Sequence, residues 1–220
     1  MSQRVAAAVL SFLAAPLAAE PPREDASAPA LTLVWYDPTG IAWGTELVAR
    51  AEAAALLRRM GASVSWRRGA SRDVAGNDEV WVILVDAGPT QSTGTLVLGA
   101  ARKRPSAVRT LWVRVPNVRA AAGVRPGRPL RILPPGEQRV VAVALGRVIA
   151  HEVVHALVPS LPHGTGLMSG SLTRRQLTAG SIAVEPETIL AFRAALRGDP
   201  VLPTTGVERL AAGLVPEKDR

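Results

Sequence analysis

The chain is 220 residues long, with 26 Lys and Arg against 18 Asp and Glu, three His and no Cys. That length closes a hydrophobic core within one domain, and a hydrophobic content of 48% excludes a wholly disordered or collagen-like chain. The absence of Cys excludes disulfides, thiolate zinc sites, iron–sulfur clusters and a Cys nucleophile.

The formal charge is +8, and Arg supplies nearly all the positive side. The basic residues are scattered, the densest run being Arg102-Lys103-Arg104, and aromatics make up only 4%. Nucleic-acid binding shows a basic stripe with interleaved aromatics or a known module, so no nucleic-acid partner is expected.

Taken in chain order, the first segment reads as a targeting signal. Arg4 precedes the uncharged run Val5–Ala19, and the small residues Ala18 and Ala19 stand before Glu20. This is a charged n-region, an apolar h-region and a small-residue cleavage site, shorter than the ~20 residues of a spanning helix. Residues 1–19 are therefore expected to be a signal peptide and the protein to be secreted or periplasmic. An uncleaved anchor is the alternative; after cleavage no stable membrane span is expected. Residues 20–30, rich in Pro, Glu, Asp and Ala, read as a flexible linker.

Leu31–Tyr36 predicts a buried strand that ends at Asp37-Pro38-Thr39-Gly40. Thr45–Met60 has apolar residues three and four apart and predicts a helix closed by Gly61. Val64–Trp66 reads as a short strand and Val80–Val85 as a central one, because it is continuously apolar. Residues 87–105 read as irregular, with Thr95–Leu98 a candidate edge strand, and Leu111–Val115 reads as another strand. Residues 116–136, full of Pro, Gly and Arg, predict a long loop. A long helix over Glu137–Val158 is stopped by Pro159, and short helices follow near Thr173–Ala179 and Glu185–Arg197. Residues 199–220 read as a loose tail. Strand, helix and strands first, helices after, is an α/β (α+β) order.

The chemistry lies in His151-Glu152-Val153-Val154-His155 and in His163, which together hold every His of the chain. His151 and His155 are four apart in a helical segment, so they share one face, one turn apart. Two imidazoles so placed reach one Zn²⁺ at ~2.0–2.1 Å. Glu152 stands beside the metal, where it can take a proton from an activated water and pass it to a leaving amine. Pro159 turns the chain, so His163 can return as the third ligand. Three protein ligands and one open position make a catalytic rather than a closed structural site. The bland alternatives are a loop role for His163 and a solvated helix charge for Glu152.

An HExxH followed by a third His and a Gly-x-Met resembles the metzincin metallopeptidases. His151, Glu152 and His155 match that pattern outright; His163 lies eight residues after His155, where the family has six, and Gly166-Leu167-Met168 follows almost at once. The lengthened motif is closer to that of small exported bacterial proteins with a Gly-Ile/Leu-Met and a later Gly-x-hydrophobic-x-Pro-Glu run, here Gly180 to Glu187. The resemblance implies one metallopeptidase-like domain over 31–198. In it a twisted mixed sheet packs on the motif helix, a small helical C-terminal subdomain follows, and Met168 lies beneath the metal as the Met-turn. It also implies a zinc endopeptidase with a peptide or protein substrate, bound beside an edge strand at Thr95–Leu98 or Leu111–Val115. An ordinary core position is the alternative for Met168.

Two other functions fit parts of the sequence. One is a non-catalytic exported metal-binding protein derived from a protease fold, which the intact Glu152 argues against. The other is a wall-anchored module, suggested by Leu202-Pro203-Thr204-Thr205-Gly206, but no hydrophobic span follows.

Overall fold

Alternating apolar side chains build the central sheet. The computed structural model describes residues 28–70, 73, 79–86, 96–101, 109–125 and 128–199. The expected leader, most of the 20–30 linker, Thr95 and the tail beyond Asp199 lie outside the described residues. The strands are β1 (Ala30–Tyr36), β2 (Ser63–Arg68), β3 (Glu79–Val85), β4 (Gly99–Ala101) and β5 (Arg109–Arg114). They form one five-stranded sheet in the order β2-β1-β3-β5-β4. Every pair is parallel except β4 with β5, which is antiparallel. The class is α/β with a mixed sheet, as expected.

The central strand is β3, paired on both sides, which accounts for its unbroken apolar run. Leu31, Leu33 and Trp35 of β1, Val80, Val82 and Leu84 of β3, and Leu111 and Val113 of β5 recur at period two and enter one core. Two helices cover them: α1 (Trp43–Arg59) and α3 (Pro135–Leu157), with α2 (Val115–Ala121) between them in sequence. Over its length α3 is apolar enough to cross a membrane, but its buried residues face α1 and the sheet. The helices α4 (Arg174–Thr178) and α5 (Pro186–Arg197) follow, and Leu177, Ile182 and Phe192 join the same core.

Three sequence expectations change. Residues 116–136 are not one long loop: α2 begins at Val115, and a 3-10 turn occupies Leu130–Ile132. Pro116 sits in the first turn of α2, where its missing N–H costs nothing. The strand at 109–114 lies between β3 and β4, so it is not an edge. The edge on this side is β4, a few residues beyond Thr95–Leu98, and β2 forms the opposite edge; Leu98 still accepts a bond from the Arg114 amide at 2.9 Å.

The motif helix is positioned by one close crossing and one buried charge. A Cβ on Gly146 would lie 2.6 Å from the Ala49 carbonyl oxygen, so glycine lets α1 and α3 approach. Next to it, the Arg147 side chain is 1% exposed. Its Nε donates to Glu52 Oε1 at 2.9 Å, and its two terminal nitrogens donate to the Gln176 and Ala179 carbonyls at 2.6 Å each. One guanidinium thus ties α3 to α1 and to the end of α4.

Removing Glu52 would strand that charge in the core. The change Glu52→Leu is expected to lower stability by about 3 kcal/mol. Glu52→Gln, which keeps an acceptor for Nε, should cost only about 1 kcal/mol. Urea unfolding midpoints of the two variants measure the difference; equal losses would show that the charge is not held by this pair.

Candidate metal centre

His151, Glu152 and His155 lie in the last two turns of α3, with the histidines one turn apart on one face. After Leu157 the chain leaves the helix at Val158, before Pro159, and returns with His163. One ligand atom from each of His151, His155 and His163 can be chosen so that all lie within 4.8 Å of one another. The His155 and His163 Nε2 atoms are 3.1 Å apart. Two nitrogens around a tetrahedral zinc at ~2.0–2.1 Å stand ~3.3 Å apart, so this pair already has the spacing a shared ion needs.

Carbonyl oxygens only accept, so the 2.8 Å contact between His151 Nδ1 and the Leu167 oxygen puts the proton on Nδ1. That leaves the Nε2 lone pair for a metal, the usual outer-shell arrangement of a ligating imidazole. Burial lowers the His151 pKa, the Leu167 carbonyl opposes this, and nearby His163 adds to it. His151 is buried, His155 half-buried and His163 exposed, so the cluster opens to solvent on one side. The three residues fit a divalent ion with nitrogen ligands and a free position.

Glu152 is buried among different neighbours. A Cβ on Gly99 of β4 would lie 2.8 Å from Glu152 Cγ and 2.9 Å from Oε1, so only glycine leaves room for the carboxylate against the edge strand. Burial pushes the Glu152 carboxyl up to about 7, while a hydrogen bond from the Ala101 backbone amide pulls it down. A carboxylate poised there can both accept and release a proton near neutral pH.

The third ligand depends on loops. Gly166–Met168 is a 3-10 turn, and Gly166 has φ +54°, in the left-handed region. A Cβ there would also collide with the Ala183 carbonyl oxygen, which accepts from the Leu167 amide at 2.8 Å. The Gly164 amide, next to His163, donates to the Met168 carbonyl at 2.9 Å. Glu185 Oε1 accepts from the Thr165 amide at 3.2 Å and from the Thr165 hydroxyl. Gly170 lies against the His163 ring, where a Cβ would come within 3.3 Å of Cγ. Met168 is 1% exposed and belongs to the core.

These groups line a cleft of 520 Å³ that contains His151, Glu152 and His163, with Leu96–Gly99 and Ser169–Leu172 among its other residues. Tyr36, the only Tyr of the chain, lines a different pocket, at the end of β1. Four contributors were not read from the sequence: Gly99, Ala101, Arg147 and Glu185. Gly99 carried a faint signal, since a glycine within a strand marks a close approach.

No family model matches this chain, and no curated protein matches it. A solved structure of archaemetzincin from Methanopyrus kandleri is similar, at 16% sequence identity and a TM-score of 0.48, over 80% of this chain and 99% of that one.

Alanine at His151, His155 or His163 is expected to reduce bound zinc well below one ion per chain after dialysis against a weak chelator. Gly166→Ala, which displaces the turn under His163, should weaken zinc binding by roughly 10–100-fold, as loss of an outer-shell support does. Competition titration with a zinc-sensitive dye measures both; full zinc retention in His163→Ala would remove that residue from the site.

Proposed function

We propose that this chain is an exported zinc-dependent endopeptidase in which His151, His155 and His163 hold the metal and Glu152 handles the proton. The observation that carries this reading is the meeting of three imidazoles beside one buried carboxylate, with His151, Glu152 and His163 lining an open cleft. When bound, zinc supplies Lewis acidity toward a carbonyl and lowers the pKa of water.

The chain's own groups do the rest. Glu152 accepts a proton from the attacking water at its carboxylate and returns it to the departing amine. Burial raises its pKa, which makes the carboxylate a stronger base for the first of these steps, and the Ala101 amide keeps it oriented. His151 is held in one tautomer by Leu167, so its Nε2 stays available as a ligand. The β4 strand is one of the two edges of the sheet, the other being β2, and contributes Gly99 to the cleft wall, which suits an extended peptide docking by strand addition. The Met168 carbonyl accepts from the Gly164 amide and so braces the turn beside His163. Export rests on the N-terminal sequence and is tested by mass spectrometry of the secreted protein, which should begin near Glu20.

A non-catalytic metal-binding role would leave Glu152 without a purpose: burying a carboxylate is costly, and a binding site does not require it. The experiment is a comparison of zinc-loaded wild type with Glu152→Gln on a peptide library. The variant should keep its zinc and lose roughly 10²–10⁴-fold in cleavage rate. Chelation should abolish wild-type cleavage and added zinc restore it. Equal cleavage by both proteins would reject Glu152 as the general base; zinc bound with no cleavage of any peptide would reject the enzyme.

A further inference from the structure

Among the described residues, the cleft carries one charged side chain that this mechanism does not use. Arg174, the first residue of α4, lines it together with His151, Glu152 and His163. Its guanidinium is not consumed by the fold: its side chain makes no hydrogen bond or ion pair among the described residues. It rests instead over Gly123, where a Cβ would lie 2.5 Å from Nε and 2.6 Å from Cζ. Gly123 follows the C-cap of α2 with φ +78°, where glycine ends the helix, and the guanidinium lies over its missing side chain.

Helix stability gives no reason for this cation. A positive charge in the first turn of a helix opposes the helix dipole, and the capping of α4 is done by Thr173 and Gln176. Among the described residues Glu152 is the only acidic one lining the cleft, and it is committed to the Ala101 amide of β4. The cleft wall therefore includes, with His151 and His163, an exposed arginine that has no side-chain partner among the described residues.

We propose that Arg174 is a specificity-determining residue that binds a carboxylate of the peptide substrate, so that the cleft selects acidic peptides or peptide C-termini. The proposal rests on the peptidase reading. A guanidinium pairs with a carboxylate through two parallel hydrogen bonds. The shared chemistry is a carboxylate, from an Asp or Glu side chain or from the chain terminus. The net positive charge of the protein favours encounter with such substrates.

The test uses zinc-loaded wild type, Arg174→Gln and Arg174→Glu. Matched fluorogenic peptides carry Glu, Gln or Lys at each position flanking the cleaved bond, with a free or amidated C-terminus. Wild type is expected to prefer a carboxylate-bearing peptide by roughly tenfold in kcat/KM, mainly through KM. Arg174→Gln should erase the preference and Arg174→Glu should turn it toward the Lys peptide, with zinc content unchanged in both. A preference that follows internal Glu identifies side-chain recognition; one that vanishes on amidation identifies the terminus.

Fluorescence anisotropy of the same peptides with zinc-loaded Glu152→Gln reads the preference without turnover. Cleavage with no carboxylate preference, or a preference that survives both Arg174 changes, overturns the role of Arg174 alone. Selective binding that depends on Arg174, without cleavage by wild type, overturns the peptidase reading alone. Neither binding nor cleavage overturns both.

Discussion

The Arg147 guanidinium sits in the core, one helical turn before His151, and everything the site requires is arranged around it. It joins Glu52 of α1 to α3 and closes the exposed carbonyls at the end of α4. A buried charge is expensive unless its donors are satisfied, so this position holds only when all three helices are in place. Gly146 beside it brings α1 and α3 close enough for the bond to Glu52 to form. The phase and height of α3 against the sheet follow, and with them the direction in which His151, Glu152 and His155 point.

Two kinds of support then meet at the cluster. His151, Glu152 and His155 ride on a rigid helix, and their relative placement follows from helical geometry. His163 rides on a loop, and its position is the sum of several weak ties: Gly164 to Met168, Thr165 to Glu185, Leu167 to Ala183. The same stretch also fixes the tautomer of His151 through the Leu167 carbonyl. The turn therefore serves two ligands at once, one by carrying it and one by orienting it. Glu152 meets a third element, β4, where the missing side chain of Gly99 makes room for its carboxylate.

Much of this was legible in the sequence, and the part that was not has a physical pattern. The strands β1 and β3 and the helices α1 and α3 announce themselves by apolar periodicity, and the His151–His155 spacing needs only 3.6 residues per turn. The helix α2 was hidden because Val115-Pro116 reads as the start of a loop, although Pro is well tolerated in a first helical turn. The edge at β4 was displaced because its short Gly99-Ala100-Ala101 segment has no apolar alternation of its own. Arg147, Glu185, Gly99 and Ala101 act across long sequence separations, and no local pattern reports such contacts. In the sequence Arg174 is one of many scattered cations, and only its place in the cleft sets it apart.

The central claim is that three histidines and no other protein group bind one ion. X-ray absorption spectroscopy of the zinc-loaded full chain tests it most directly. The spectrum should show about three imidazole nitrogens and one light oxygen ligand at ~2.0–2.1 Å around each zinc, with the imidazole count falling by one in His163→Ala. Two imidazoles in the wild type, or a count unchanged by that substitution, would contradict it.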